Sequence, residues 1–308
     1  MSRSLIIGSR GSKLALWQAE QAKARLLALN PEIEVGIEII KTTGDVKPDP
    51  LSVIGGKGVF TKELEDALLD RRIDLAVHSL KDLPTVLPDR LTISAICERE
   101  DPRDALVVGS HTEFDSVALD KLPLGTIVGT SSPRRLAQLR SWRGDELVIK
   151  ELRGNVDTRI RKLDEGQYDA IILAAAGLVR LGLEDRISLR VPISHMLPAV
   201  GQGAIAIETR SDDDFAIEAT GRLDHRKTHL ACSAERAFLR ELGGGCQLPI
   251  AAHARFERDV LKLDGLVASP DGSKRLQDSL SGPPDTAVQL GAFLASMLLD
   301  RGAASLLG

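Results

Sequence analysis

Cysteine is scarce in this chain and badly placed for pairing. Cys97, Cys232 and Cys246 are odd in number, widely spaced and without a CxxC pair. That excludes a disulfide framework and a structural zinc site, and no metal is expected. Aromatic residues make up only 3%, the net charge is -4, and no P-loop is present. These absences count against nucleic-acid and nucleotide-phosphate binding. No apolar run reaches the length of a membrane span, so no membrane partner is expected. The apolar run at residues 5–7 ends at Gly8, too short for a signal peptide. The expected address is the cytoplasm.

What remains is a globular composition, 43% hydrophobic and 27% charged. At 308 residues it is too long for one ordinary core. Strand and helix signals alternate. A short strand at 5–7 leads through Gly8-Ser9-Arg10-Gly11-Ser12 into a helix whose stripe is Ala15, Ala19, Ala22, Leu26 and Leu29. Asn30-Pro31 ends that helix. Strands at 35–40, 74–79 and 91–97 and a helix at 61–69 follow, with a long Gly- and Pro-rich loop at 42–58. A second series begins near Ala105, with strands at 127–129, 147–149 and 169–173. This rhythm predicts α/β architecture with parallel sheets. A strand at 204–208 is placed to return to the first sheet, and a helix at 212–223 connects onward. The last ninety or so residues read as α+β: a helix capped at Thr228, strands at 251–256 and 261–268, and a final helix faced by Ala287, Leu290, Leu294 and Met297.

Ligands of open α/β sheets sit beyond the carboxyl ends of strands. The strand at 74–79 runs into Ser79-Leu80-Lys81-Asp82, which puts a cation and an acid there. The strand at 127–129 runs into Thr130-Ser131-Ser132-Pro133-Arg134-Arg135. Ser132 is a good N-cap and Pro133 suits the first helical position, so free N–H groups beside two arginines predict an anion site. Arg153 precedes a further helix start at Asn155, Arg159 lies within that helix, and Arg180 ends an alanine-rich one. Each arginine alone is compatible with a solvated surface. Together with Arg10 they recur at loop-to-helix junctions, where arginine suits carboxylate or phosphate recognition.

Cys246 lies in Leu-Gly-Gly-Gly-Cys-Gln-Leu-Pro-Ile, residues 242–250. Gly243 to Gly245 stop the preceding helix. The partial negative charge at a helix C-terminus disfavours a thiolate, so this thiol suits an attachment point better than a hyperactivated nucleophile. A buried structural cysteine beside a glycine cap is the plainer alternative.

Taken in order, Gly8-Ser9-Arg10, Thr43-Gly44-Asp45, Gly55-Gly56-Lys57-Gly58-Val59-Phe60, His78-Ser79-Leu80-Lys81-Asp82, Gly129-Thr130-Ser131-Ser132, Arg134-Arg135, Leu152-Arg153-Gly154-Asn155, Pro198-Ala199-Val200-Gly201-Gln202-Gly203 and Gly244-Gly245-Cys246 resemble the porphobilinogen deaminases, also called hydroxymethylbilane synthases. The resemblance runs nearly end to end. It implies three domains: 1–100 with 197–218 carrying the catalytic acid, 101–196 rich in arginine, and 219–308 carrying the cysteine. The first two would resemble periplasmic binding proteins. It implies a transferase of porphyrin and heme biosynthesis that joins four porphobilinogen molecules, with loss of ammonia, into the linear tetrapyrrole hydroxymethylbilane. A dipyrromethane in thioether linkage to Cys246 would prime the chain. Asp82 matches the family's essential aspartate. Arg10, Ser12, Lys81, Arg134, Arg135, Arg153, Arg159 and Arg180 would hold the acetate and propionate groups of the pyrroles. Ser79, Thr130, Ser131, Ser132 and Asn155 would add neutral hydrogen bonds, and Lys57 and Phe60 would belong to a lid loop. The family also implies a monomer. Two departures stand out. The loop after Asp49 is about one residue short, and Pro133 replaces a residue that is commonly not proline.

Two other classes compete. A solute-binding or effector-sensing module suits two βα halves with arginines, but leaves Asp82 and Cys246 without a role. A phosphate- or nucleic-acid-binding protein conflicts with the acidity and the low aromatic content.

Overall fold

The computed structural model describes residues 3–43, 61–114, 118–245 and 247–307. The chain divides into two compact units. One contains residues up to Glu100 together with Ala204–Cys232, the other Asp101–Gly203 with Ser233 onward.

The first unit is built on a five-stranded sheet in the order β2-β1-β3-β10-β4. Its strands are β1 (Arg3–Ser9), β2 (Ile33–Ile39), β3 (Leu75–Ser79), β4 (Leu91–Ile96) and β10 (Ile205–Arg210). β1 runs parallel to β2 and β3, whereas β10 lies antiparallel between β3 and β4. The predicted return of the late strand is therefore found, but the all-parallel expectation is corrected: the sheet is mixed. Helix α1 (Lys13–Leu29) starts where Ser12 Oγ accepts the N–H of Ala15 at 3.3 Å. It packs Ala19, Ala22 and Leu26 on Leu5, Ile7, Leu75 and Val77, with α6 (Asp214–Gly221) adding Ala216 and Ala219 to the same core. Helix α2 (Lys62–Leu69) covers the other face through Leu64 and Leu68 against Ile73, Ala76 and Leu91. β3, covered on both faces, is buried over Leu75–His78, which is why it opens as an apolar run.

In the second unit a sheet runs β7-β6-β8-β5-β9. Its members are β5 (Asp104–Val108), β6 (Ile127–Gly129), β7 (Val148–Lys150), β8 (Ala170–Ala174) and β9 (Leu189–Arg190). β6 is parallel to β7 and β8, while β5 is antiparallel to β8 and β9, so this sheet is mixed too. Its helices are α3 (Pro133–Arg143), α4 (Val156–Asp164) and α5 (Ala175–Arg180).

The same unit holds an antiparallel sheet of β11 (Ile250–Glu257), β12 (Val260–Ala268) and β13 (Arg275–Gly282). Only its first two strands were expected from sequence. Helices α7 (Arg226–Glu241) and α8 (Ala287–Asp300) accompany it. A side chain at Gly291 would meet Ala234 O at 2.1 Å, so only glycine lets α8 approach α7 this closely. α7 begins at Arg226, ahead of the expected cap at Thr228. Thr228 is instead buried in the first turn, its Oγ1 accepting the N–H of Arg99.

Candidate functional site

Asp82 and the candidate arginines other than Arg10 sit on different units, and the structure treats them differently. In the first unit β3 ends at Ser79 and turns at once into a 3-10 turn, Leu80–Asp82. Leu80 is buried beneath that turn, Lys81 is half-buried and Asp82 is exposed. Ser79 exchanges hydrogen bonds with the Gln18 amide of α1, at 2.9 and 3.3 Å. One residue earlier, His78 Nε2 lies 3.0 Å from Glu208 Oε2 on β10, both buried. Arg10 is half-buried on the loop between β1 and α1, two residues before the Ser12 cap.

In the second unit the β6–α3 junction forms as its sequence predicts. Ser132 is the N-cap, its Oγ accepting from Arg135 N, and Pro133 opens the helix. Thr130 Oγ1 accepts the N–H of Ser132 at 3.2 Å. Ser131 Oγ both donates to Leu152 O and accepts the Leu152 N–H, at 2.9 and 3.0 Å, which ties this loop to the one carrying Arg153. Arg153 is half-buried and pairs with Glu151. Arg159 Nε donates to Gly154 O at 2.7 Å. Asn155 is the exposed N-cap of α4, without a side-chain cap bond.

Arg134 and Arg135 depart from the expected open anion site. Only 4% and 5% of them is exposed, and both point at Asp104, which is fully buried. Arg134 Nη1 donates to Asp104 Oδ2 and Arg135 Nη2 to Oδ1, each at 2.7 Å. Burial alone would raise the Asp104 pKa. The two guanidinium charges and their hydrogen bonds overcome that and hold the carboxyl well below the usual carboxylate range. Burial lowers the pKa of Arg135, against the pull of Asp104, but an arginine stays cationic throughout. Two cations facing one anion leave this buried cluster with a charge of +1. The Nε of Arg134 is also buried without a hydrogen-bond partner among the described residues. The cluster therefore retains a net positive charge and unspent N–H donors.

The segment 197–203 is wired into the same cluster. Leu197 O accepts from Arg134 Nη1 at 2.7 Å and from Gln138 Nε2 at 3.0 Å. Gln202 Nε2 donates to Asp104 Oδ1 at 3.0 Å. Gly203 O accepts from Arg180 Nη2 at 2.7 Å, and Arg180 is itself buried. The Gly201 N–H reaches Glu235 Oε2 on α7 at 2.7 Å. α7 then ends in a Schellman cap: Gly244 N–H bonds Leu239 O, Gly243 N–H bonds Arg240 O, and Gly243 has φ +64°. Cys246 follows and lies outside the described residues, as do Asp45, Lys57 and Phe60. Sequence reasoning missed Asp104. The available signal was a lone carboxylate opening the apolar strand Asp-Ala-Leu-Val-Val, a position where an unpaired acid is rarely tolerated.

Known proteins match along nearly the whole chain. Residues 5–218 fit the family model described as porphobilinogen deaminase, dipyromethane cofactor binding domain, and residues 229–300 fit that of the porphobilinogen deaminase C-terminal domain. A porphobilinogen deaminase of Chromobacterium violaceum is 52% identical over 304 residues, covering 98% of this chain and 96% of that one. One of Syntrophomonas wolfei is 50% identical over 306 residues, covering 99% and 98%. Among solved structures, the second substrate binding domain of a putative amino acid ABC transporter from Streptococcus pneumoniae has a TM-score of 0.45 at 14% identity, over 78% of this chain and 94% of that one. The two family models and the two near-full-length relatives agree, and the chain belongs to the porphobilinogen deaminase family, transferases with a dipyrromethane cofactor.

Proposed function

We propose that the porphobilinogen deaminase activity of this chain is divided among Asp82 as the proton-handling group, Cys246 as the attachment point, and the arginines as carboxylate partners. The observation that carries the reading is the buried pair Arg134 and Arg135, which keeps a net positive charge and an unpartnered Nε. Every pyrrole in this chemistry bears acetate and propionate groups, so a cationic, desolvated pair fits a dipyrromethane and the chain grown on it. When bound through Cys246, the dipyrromethane supplies the free pyrrole α-carbon to which each new unit is joined.

The protein's own groups do the rest. Asp82, on an exposed turn at the carboxyl end of β3, gives a proton to the amine that leaves porphobilinogen as ammonia. As the carboxylate it then faces the cationic pyrrole that remains. Lys81 beside it, Arg10 on the neighbouring loop, and Arg153, Arg159 and Arg180 in the second unit hold carboxylates. Ser12, Ser79, Thr130, Ser131, Ser132 and Asn155 set the loops on which these cations stand. The three sheets support a reading as three domains, 1–100 with 197–218, 101–196 and 219–308. No helix among the described residues is long and apolar enough to cross a membrane. Cys97 and Cys232 are buried and in no disulfide, which fits a reducing compartment, and the reading is of a monomer working in the cytoplasm.

Intact mass tests the assignment. Wild-type protein carries an addition equal to two pyrrole units, and Cys246→Ser carries none and is inactive, because a serine hydroxyl is a far weaker nucleophile at neutral pH. The same adduct and turnover in Cys246→Ser would sink it.

A further inference from the structure

The reading above gives Arg134 and Arg135 a task but leaves Asp104 without one. Its Oδ1 accepts from Arg135 Nε (3.0 Å) and Nη2 (2.7 Å), from Arg134 Nη2 (3.2 Å) and from Gln202 Nε2 (3.0 Å). Its Oδ2 accepts from Arg134 Nη1 at 2.7 Å. A carboxylate oxygen offers about two lone-pair sites, so Oδ1 is fully engaged, and with Asp104 completely buried the carboxyl presents no open face to a ligand. The arginines are not saturated. Arg134 spends its two Nη1 hydrogens on Asp104 and Leu197 O and one Nη2 hydrogen on Asp104. Arg135 spends Nε and one Nη2 hydrogen on Asp104 and one Nη1 hydrogen on Ile172 O. Each guanidinium has five N–H donors, so each keeps donors in reserve.

Resting on the proposed role of this pair, we infer that Asp104 is a positioning residue that sets both the geometry and the valence of carboxylate recognition. One oxygen grips both guanidinium groups and so fixes their planes against each other. Gln202, anchored by its other amide hydrogen to Pro102 O at 2.7 Å, holds that oxygen in place. The single negative charge cancels one of the two positive ones, so the pair receives one ligand carboxylate rather than two. It also curbs capture of small anions: two bare, desolvated cations would bind any of them, chloride included.

The test uses holoenzyme, with its dipyrromethane-loaded fraction measured by intact mass, and porphobilinogen as the probe in media of low and high chloride. Asp104→Asn keeps the shape and removes the charge. It raises KM at least about tenfold, and its KM climbs with chloride more steeply than that of wild type, a response that mere loosening of the fold does not produce. Asp104→Glu keeps the charge and shifts it by one methylene; it raises KM with the wild-type chloride slope. Wild-type KM and chloride slope in Asp104→Asn overturn the inference. If Asp104→Asn does not fold, Asp104→Glu decides, and a wild-type KM there overturns it equally. The double variant Arg134→Gln, Arg135→Gln, which removes both charges, separates the two readings. If it loads and turns over like wild type, the carboxylate-partner reading itself falls. If it is impaired while both Asp104 variants are unaffected, only the role of Asp104 falls.

Discussion

The two large sheets share a plan and differ in chemistry. Each sets three parallel strands in the order second, first, third, then adds an antiparallel strand from elsewhere in the chain. In the first, the third strand hands over to an exposed acid, Asp82. In the second, the first strand hands over to two buried cations, Arg134 and Arg135. The contrast fits the roles proposed for the two groups. A carboxylate that gains and loses a proton every cycle needs access to water. A guanidinium that must hold an anion gains strength from losing water, because charges attract more strongly at low dielectric. That gain requires an internal counter-charge, since a buried unpaired cation is costly. In the second sheet Asp104 supplies it.

The sharpest way to break this contrast is to remove the counter-charge. Asp104→Ala leaves two guanidinium groups buried without it and costs about 3–5 kcal/mol of unfolding free energy, measured by denaturant titration. The pH dependence adds a check. Because the folded pKa of Asp104 is depressed, its stabilisation is in force above the unfolded carboxyl value of about 3.9 and is lost as pH falls toward the folded one. Wild type therefore loses stability on acidification below about pH 4 more steeply than Asp104→Ala does. Parallel acid titrations would show that Asp104 contributes nothing through its charge.

At Asp82 the balance reverses: a large effect on rate and a small one on stability. Asp82→Asn loses turnover on the order of a hundredfold or more while its stability stays within about 0.5 kcal/mol, because the side chain is exposed. Single-turnover kinetics on dipyrromethane-loaded protein, with Asp82→Glu alongside, read this out. Equal rates in the two variants would move the proton donor elsewhere, with Asp45 the next candidate. The smallest effect is set at Ser131, whose paired bonds to Leu152 join the two arginine-bearing loops of the second sheet. Ser131→Ala costs about 1–2 kcal/mol and weakens loading more than turnover. Unchanged loading by intact mass would mean the two loops hold their places independently.

Much of this arrangement was legible in the sequence because it is local. The Ser132-Pro133 start of α3, the Asn30 end of α1 and the glycine stop of α7 each rest on a few neighbouring residues. The strand sense of β5 and β10 was not legible, since it depends on which distant strands they join. β13 went unseen for another reason: its Arg275-Leu-Gln-Asp-Ser-Leu-Ser-Gly sequence has few strand-forming side chains, and as an edge it pairs only with β12. Asp104 was missed because its partners stand 30 and 31 positions away, and nothing near it announces them.

The place of β10 has a consequence for how the molecule is made. β4 pairs in its sheet only through β10, and β3 keeps an open edge without it. β10 is encoded after the whole of the second five-stranded sheet, whose strands all lie within Asp104–Arg190. A chain emerging from the ribosome can thus complete the later sheet while the earlier one still waits for the interior strand that joins β3 to β4, with apolar strand edges exposed throughout. Of the two five-stranded sheets, the one whose synthesis begins first is the one whose last strand is made second.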